Sequence, residues 1–316
     1  MKTLGIVVNP FAGSDGRRIV TASPTHGVQD KVRYLTQTLQ TLAEVYPARV
    51  LIAQDLAGIA LSLVAMPWPF PMCLREVALA GEPEDTRGSV EALEGEADLL
   101  LVLGGDGTQR QALLACPKTP VLPLPAGTNN AFAFRLDPAY AGLVAAAVLR
   151  SGPGDAVYYP KTILLKAGSW ESLAVVDAAL HRGRFRGARA LWNPEGLLEL
   201  ALAFAEPWSL GLSALGAILM PVDRRSPHGA LFSFGEGGRQ VAIPWFPGHV
   251  RQLWVRGWRR VPLGEPWTWR VTEPVLLALD GEREVELAPG DAVQAEVCRL
   301  EVPVVDPLRV ELSRSG

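Results

Sequence analysis

The sequence predicts an N-terminal α/β domain with a parallel sheet, followed by a mostly β C-terminal domain. In the first half, short apolar runs typical of buried strands alternate with segments whose apolar residues recur at helical spacing. After Ser151-Gly152-Pro153-Gly154-Asp155 the pattern changes, since eight of the nine tryptophans lie beyond residue 150, among short runs separated by Gly and Pro. We therefore predict an α/β domain over residues 1–150 and a β-rich domain over residues 151–316. Whether the last residues return to the first domain is left open.

The elements of the first domain follow from the period of their apolar residues. Segment 28–45 has apolar residues at 28, 32, 35, 39, 42 and 45, the spacing of a helix with one buried face. Segment 97–103 is apolar on both faces, as is typical of a central parallel strand. The remaining strands are predicted at 4–8, 49–53, 73–80 and 121–125, and the remaining helices at 85–93, 109–115 and 139–150.

The second domain is predicted to consist mainly of short strands. Apolar residues alternate with polar ones in the runs 161–166, 251–255, 268–271 and 275–279. One helix is predicted near residues 196–205. Asp280-Gly281 lies between two apolar runs, which is the usual signal of a two-residue hairpin turn.

Composition restricts the classes of protein to which the chain can belong. With 316 residues, 48% of them hydrophobic, the chain can bury a sizeable core and is neither disordered nor fibrous. The net charge of −3 argues against a nucleic-acid partner, and no apolar run reaches the roughly 18 residues that cross a membrane. Three unpaired cysteines and four scattered histidines indicate neither a disulfide framework nor a zinc site. We expect a cytoplasmic protein with small-molecule partners and leave a homo-oligomer open.

A glycine-rich turn directly follows the predicted central strand. It reads Gly104-Gly105-Asp106-Gly107-Thr108 and precedes a predicted helix. Such a turn presents backbone N–H groups at the positive end of a helix, and glycine lets a phosphate approach the backbone closely. The carboxylate of Asp106 suits a magnesium ion, a water on that ion or a hydroxyl proton. The alternative is a tight turn in which Asp caps the helix.

Two further loops follow apolar strands in the same way. Asparagine occurs four times in the chain, and three of the four lie in these two loops. Numbered in chain order with the turn 104–108 as the second, the proposed nucleotide-binding residues of the other two are Asn9, Pro10, Gly13 and Ser14 in the first loop, and Gly127, Thr128, Asn129 and Asn130 in the third. Either loop alone could be a plain turn. Because open α/β sheets bind ligands at the carboxyl ends of their strands, the three loops together predict a nucleotide site.

The second domain supplies candidate substrate-binding and catalytic side chains. Arg184, Arg186 and Arg189 lie in an arginine-rich segment that could bind phosphate oxygens or form a solvated turn. Asp177 follows the apolar run 173–176 and is either a second carboxylate of a cleft or an acceptor at a strand end. Glu282 follows the hairpin turn, where spacing alone favours a structural role.

The three loops, in this order and spacing, resemble the superfamily of NAD kinases, diacylglycerol kinases and sphingosine kinases. The stretches that carry the resemblance are NPFAGS, GGDGT and PAGTNNAFA. SDGRR, TASPTHGVQDKV, DAALHRGRFRGARALW, SLGLSALGAILMP and LALDGERE are similar to the ATP-NAD kinase-like proteins found with acetoin-catabolism genes. The resemblance implies an α/β domain, a β-rich domain and a nucleotide in the cleft between them.

The resemblance also implies roles for two carboxylates. In NAD kinases the Asp of GGDGT activates the ribose 2′-hydroxyl, which implies that role for Asp106. In the lipid kinases the same loop serves the ATP phosphates and magnesium, and a Glu in a DGE-like position is catalytic, which implies a catalytic Glu282. The Asn-Glu dipeptide with which NAD kinases grip the nicotinamide-side substrate does not occur in this sequence.

We therefore expect an ATP-dependent kinase that uses Mg²⁺ and phosphorylates NAD or a related small hydroxyl-bearing acceptor. One alternative is a lipid kinase of the diacylglycerol type. The other is a nucleotide-binding sensor with little catalysis, which the missing Asn-Glu dipeptide favours. No metal ligands are assigned.

Overall fold

A computed structural model describes residues 1–13, 27–127, 130–182, 194–207 and 209–312. The described residues form two compact units. The first contains the described residues up to Tyr159 and those from Glu301 onward, and the second contains the described residues of Pro160–Leu300. No helix in the described ranges is both long and apolar enough to cross a membrane.

The elements are numbered in chain order. The strands are β1 Thr3–Val8, β2 Arg49–Ala53, β3 Met72–Arg75, β4 Leu99–Gly104, β5 Val121–Pro125, β6 Val157–Tyr158, β7 Lys161–Ala167, β8 Trp170–Ala174, β9 Asp177–Arg182, β10 Leu197–Leu202, β11 His228–Phe246, β12 His249–Pro262, β13 Trp267–Arg270, β14 Val275–Leu279, β15 Glu282–Leu287, β16 Ala292–Arg299 and β17 Val304–Val305. The α-helices are α1 Val28–Val45, α2 Ile59–Val64, α3 Glu84–Leu93, α4 Asp106–Leu114, α5 Pro138–Ser151 and α6 Leu212–Leu219. Short 3₁₀ helices lie at Gly154–Ala156, Pro194–Gly196 and Pro307–Arg309.

A seven-stranded sheet forms the centre of the first unit. Its order is β3-β2-β1-β4-β5-β17-β6, and the pairs from β3 to β17 are parallel. Apolar side chains of α1, α2 and α5 form one buried cluster with strand residues such as Leu4 and Ile6. Gly5 points the other way, and a Cβ there would lie 3.5 Å from Leu93 of α3. The sheet is therefore covered on both faces, as parallel strands require.

The predicted elements of the first unit are confirmed, with two larger changes of boundary and several of one or two residues. The fully apolar strand predicted at 97–103 is β4, the fourth of the seven strands. The strand predicted at 73–80 ends at Arg75. Helix α4 begins at Asp106 instead of residue 109, because the extended backbone of Gly105 already forms its N-cap. The predicted turn is therefore shorter, and Gly107 and Thr108 belong to the helix.

The second unit contains a six-stranded antiparallel sheet and a four-stranded one. Their orders are β12-β11-β10-β9-β14-β15 and β13-β16-β7-β8. The predicted fold class, a parallel α/β part and a mostly β part, is thus confirmed. The helix predicted near 196–205 is wrong, since Leu197–Leu202 is β10, paired on one side with β9 and on the other with β11. Tertiary pairing overrides the helix preference of Leu, Glu and Ala, and the helix of this unit is α6.

The hairpin predicted at Asp280-Gly281 is confirmed. Both residues have positive φ, 51° and 77°, as a type I′ turn demands, and Leu279 pairs with Glu282. The Asp280 carboxylate accepts hydrogen bonds from the backbone N–H groups of three consecutive residues, Val175, Val176 and Asp177, at 2.8–3.3 Å. One side chain thereby joins the β14–β15 turn to the corner between β8 and β9.

Replacement of Asp280 tests this junction. Asp280→Ala removes the acceptor and places Ala at positive φ, so we expect the free energy of unfolding to fall by about 2–3 kcal/mol. Asp280→Asn is the matched control, because Asn keeps an acceptor oxygen and tolerates this backbone region. Urea unfolding followed by tryptophan fluorescence reports mainly on the second half, which holds eight of the nine tryptophans. Equal losses in the two variants would contradict the assignment.

Candidate functional site

The three predicted loops follow three neighbouring strands. Asn9 follows β1, Gly105 follows β4, and Ala126-Gly127 follows β5; β4 pairs in parallel with both of the other strands. The carboxyl ends of parallel strands share one edge of the sheet. The structure therefore brings the first, second and third loops together within the first unit.

Asn9 links the first loop to the second. Its Nδ2 donates to Thr108 Oγ1 at 2.9 Å, and its Oδ1 accepts from the Phe11 N–H at 2.9 Å. The backbone N–H of Asn9 donates to the Leu103 carbonyl at 3.1 Å. The side chain and backbone of Asn9 thus hold the end of β1 against the first turn of α4.

Asp106 links the second loop to the third. Its partly buried carboxylate accepts hydrogen bonds from the backbone N–H groups of Ala131 at 3.0 Å and Phe132 at 2.9 Å, one on each oxygen. Asp106 therefore joins the first turn of α4 to the backbone that follows the third loop.

Glycine allows the second and third loops to pack backbone against backbone. A Cβ on Gly127 would lie 2.5 Å from Gly105 Cα, and a Cβ on Gly104 would lie 2.4 Å from Thr108 Cβ. Neither side chain could fit without displacing its neighbour. Close approach of neighbouring protein atoms therefore explains why positions 104, 105 and 127 are glycine. A phosphate-binding turn also needs glycine, so that the phosphate can approach the backbone closely.

Asn130 closes the third loop on itself. The Gly127 N–H donates to Asn130 Oδ1, and Asn130 Nδ2 donates to the Gly127 carbonyl, both at 2.6 Å. The backbone of Asn130 has φ 49°, a region that Asn tolerates better than most residues. Its role in the structure is to shape the loop.

Two buried polar residues that sequence reasoning missed support the loops from below. Lys31 of α1 is 2% exposed, and its Nζ donates to the carbonyls of Pro10 at 2.5 Å and Ala12 at 2.8 Å. Gln109 of α4 is 1% exposed, and its Nε2 donates to the Val102 carbonyl at 3.0 Å. Lys31 precedes Leu35 by one helical turn, so a lysine at an apolar-stripe position was the available signal.

The charge distribution at this edge favours an anion beside a cation. The first backbone N–H groups of α4 have no acceptor within the helix and form its positive end. Lys31 places a further positive charge beneath the first loop. Among the described residues no group of three His, Cys, Asp or Glu could hold a metal ion. A cation here would therefore share Asp106 with the oxygens of its ligand.

The remaining predicted residues fall into three groups. Asp177 and Glu282 lie in the second unit, each as the first residue of a strand. Asp177 was expected at the end of a strand, but β8 stops at Ala174, because the three N–H groups that follow bind Asp280 and turn the chain. Of the first loop, Pro10 holds Lys31 and Gly13 has φ 75°. Ser14, Thr128, Asn129, Arg184, Arg186 and Arg189 lie outside the described residues.

Comparison with known proteins shows the family to which the chain belongs. Residues 4–152 match the family model of the ATP-NAD kinase N-terminal domain, and residues 162–300 match that of the acetoin catabolism protein X C-terminal domain. Acetoin catabolism protein X of Cupriavidus necator is 31% identical over 314 residues, which covers 92% of this chain and 86% of that protein. The chain belongs to the acetoin catabolism protein X family.

Solved structures share the fold of this family member. Yeast NADH kinase in complex with NADH superimposes with a TM-score of 0.56 at 18% identity, over 96% of this chain and 82% of the kinase. A diacylglycerol kinase-like protein of Bacillus anthracis str. Sterne gives 0.55 at 13% identity, over 98% of each chain. At such identities the likeness concerns the fold, which is therefore the one found in NAD kinases and diacylglycerol kinases.

Substitution of Gly127 tests the packing of the second loop against the third. Gly127→Ala forces the loops apart, and we expect the free energy of unfolding to fall by about 1–3 kcal/mol. Gly88→Ala is the matched control, because a Cβ on this α3 glycine would meet nothing within 4 Å and should stabilise the helix by up to ~1 kcal/mol. Differential scanning calorimetry measures both, and a Gly127→Ala variant as stable as wild type would refute the close approach.

Proposed function

We propose that this protein is an ATP-dependent phosphotransferase whose acceptor is a hydroxyl-bearing small molecule, with NAD as the first candidate. The observation that carries the proposal is the interlocked set of three loops at the carboxyl ends of β1, β4 and β5. Hydrogen bonds from Asn9 to Thr108 and from the 131–132 backbone to Asp106 hold the set together. The matches to ATP-NAD kinase and to the kinase fold support the reaction class.

In this proposal the loops bind the phosphates of ATP. The N–H groups at the start of α4 face the negative charge, and the close packing of Gly105 against Gly127 holds the second and third loops together. Thr128 and Asn129, with Asn9 and Ser14, would hydrogen-bond phosphate or ribose. Phosphoryl transfer depends mainly on positioning and on neutralised charge, which rigid loops supply.

Asp106 is the proposed catalytic residue of this set. Two backbone N–H groups, those of Ala131 and Phe132, fix the orientation of its carboxylate. We therefore assign it to orienting the acceptor hydroxyl and binding Mg²⁺, with proton removal late in the reaction. When bound, Mg²⁺ neutralises charge on the transferring phosphoryl group. Glu282 is proposed as a second catalytic carboxylate, and Asp177, Arg184, Arg186 and Arg189 as acceptor-binding residues.

A second candidate function is nucleotide sensing without catalysis. It is favoured because the sequence lacks the Asn-Glu dipeptide with which NAD kinases bind the nicotinamide side of their substrate. The commitment of Asp106 to two structural hydrogen bonds is compatible with either function. A lipid acceptor is the other alternative for the enzyme.

One assay separates these functions. Transfer of labelled γ-phosphate from Mg·ATP is measured with NAD, NADH and a dispersed diacylglycerol in parallel, and ATP binding is measured by calorimetry. The proposal expects a phosphorylated nicotinamide dinucleotide. A phosphorylated lipid would identify a lipid kinase, and ATP binding without transfer to any acceptor would support the sensor. Neither binding nor transfer would contradict all three.

Asp106→Asn tests the catalytic assignment. We expect the rate of phosphoryl transfer to fall ~10²-fold or more, with a smaller change in the KM for ATP. Asp98→Asn is the matched control, because Asp98 also accepts a backbone N–H, from Thr3 at 2.8 Å, and lies at the amino ends of β1 and β4, opposite the three loops. Melting temperatures of both variants report the structural loss. An Asp106→Asn variant with the turnover of wild type would contradict the role.

A further inference from the structure

The second unit contains a cleft of about 970 Å³ between strands of its two sheets. Residues of β9 to β13 and of the segment leading into β14 line it. The buried apolar lining residues include Leu180, Leu197, Phe234, Leu253, Trp269 and Val275. A volume of this size is in the range of pockets that hold small organic molecules.

Glu199 supplies a carboxyl group to the lining of the cleft. It lies on β10, in register with Leu180 of β9 and Ser233 of β11, and is partly buried. Among the described residues its carboxyl group has no hydrogen-bond or ion-pair partner. Burial raises the pKa of Glu199 to about 7. A carboxyl group held in a cleft without a partner is available to a ligand.

The other charged side chains of the cleft either make hydrogen bonds within the protein or are exposed to solvent. They are Arg182, Glu195, Glu236, Arg256, Arg270 and Glu273. Arg182 Nε donates to Glu273 Oε1 at 2.8 Å, and Arg256 Nε donates to the Glu236 carbonyl at 3.4 Å. With Glu199 ionised, the described lining residues carry four carboxylates and three guanidinium groups, a net charge of −1. This balance favours a cationic guest over an anionic one.

Aromatic side chains in the same lining suit the rest of such a guest. Trp254 of β12 is 47% exposed although it lines the cleft, and Trp269 of β13 is 6% exposed. Indole faces attract both apolar groups and organic cations. The cleft thus combines an acceptor for an ammonium group with surfaces for an apolar or aromatic tail.

We propose that this cleft binds a primary organic amine with an apolar or aromatic tail, with the ammonium group on Glu199 and the tail against Trp254. Nothing in this assignment depends on phosphoryl transfer. It predicts a ligand for the second unit whether the three loops of the first unit serve a kinase or a sensor.

Three probes of one shape test the proposal on the full chain. Calorimetry at pH 8 compares 2-phenylethylamine, 2-phenylethanol and phenylacetate, which differ in the charge of one end. We expect the amine to bind at least about tenfold more tightly than the other two, because a charged donor on a carboxylate adds at least this factor. Tightest binding of phenylacetate, equal binding of the three probes, or no binding of any at millimolar concentration would overturn the proposal.

Variants and pH identify the residue involved. Glu199→Gln should weaken amine binding about tenfold, whereas Glu195→Gln, the same change on an exposed lining carboxylate, should alter it less than about twofold. Amine affinity should rise about fivefold from pH 6 to pH 8, because Glu199 loses its proton near pH 7 while the amine stays charged. Glu199→Gln should abolish this rise, and unchanged affinity or pH dependence in that variant would contradict the site.

The unliganded protein offers an independent readout of the same carboxyl group. Its pKa in the folded state lies above the ordinary 4.5, so the folded state holds more protons than the unfolded state between these values. The Glu199 contribution to stability is therefore present below pH 4.5 and is lost as the pH rises through 7. The melting temperature of Glu199→Gln relative to wild type should accordingly increase from pH 5 to pH 8. A constant difference would show that the carboxyl group is not held in the buried environment on which the proposal depends.

Discussion

The candidate site depends first on the carboxylate of Asp106. Its two oxygens hold the backbone N–H groups of Ala131 and Phe132, so the first residue of α4 fixes the loop that follows β5. The glycines at 105 and 127 can approach closely only because this link, and the ring formed by Asn130, keep the two loops in register. Asn9 and Lys31 extend the arrangement to the loop that follows β1.

Binding of backbone N–H groups by aspartate recurs across the chain. Asp55 holds three such groups at the start of α2, Asp85 holds two before α3, and Asp280 holds three at the corner of the second unit. In a chain with four asparagines, aspartate shapes most of these turns. Asp106 shares this structural role and differs by its place, at the carboxyl ends of adjacent parallel strands and at the positive end of a helix. That place, and not the hydrogen bonding alone, is what supports a function.

Elements that depend on a local sequence pattern could be predicted from the sequence, whereas elements that depend on tertiary contacts could not. Helix α1 and strand β4 were predictable, because burial of one face or of both faces leaves a clear period in the sequence. The three loops were predictable from glycine and asparagine after apolar runs. Strand β10 was not, since a six-residue run rich in Leu, Glu and Ala becomes a strand through its partners β9 and β11. The roles of Lys31 and Glu199 could not be predicted for the same reason. Each role depends on groups far away in the sequence: the Pro10 carbonyl for Lys31, and the strands around the cleft for Glu199.

The central claim, that the three interlocked loops bind the phosphates of a nucleotide, is tested most directly by hydrogen–deuterium exchange of the full chain. Exchange is compared with and without a saturating magnesium complex of a non-hydrolysable ATP analogue. If the loops bind the phosphates, we expect slower exchange in peptides covering 9–13, 104–108 and 127–132, and no change in α3. Protection confined to other segments, or unchanged exchange in all three loops, would contradict it.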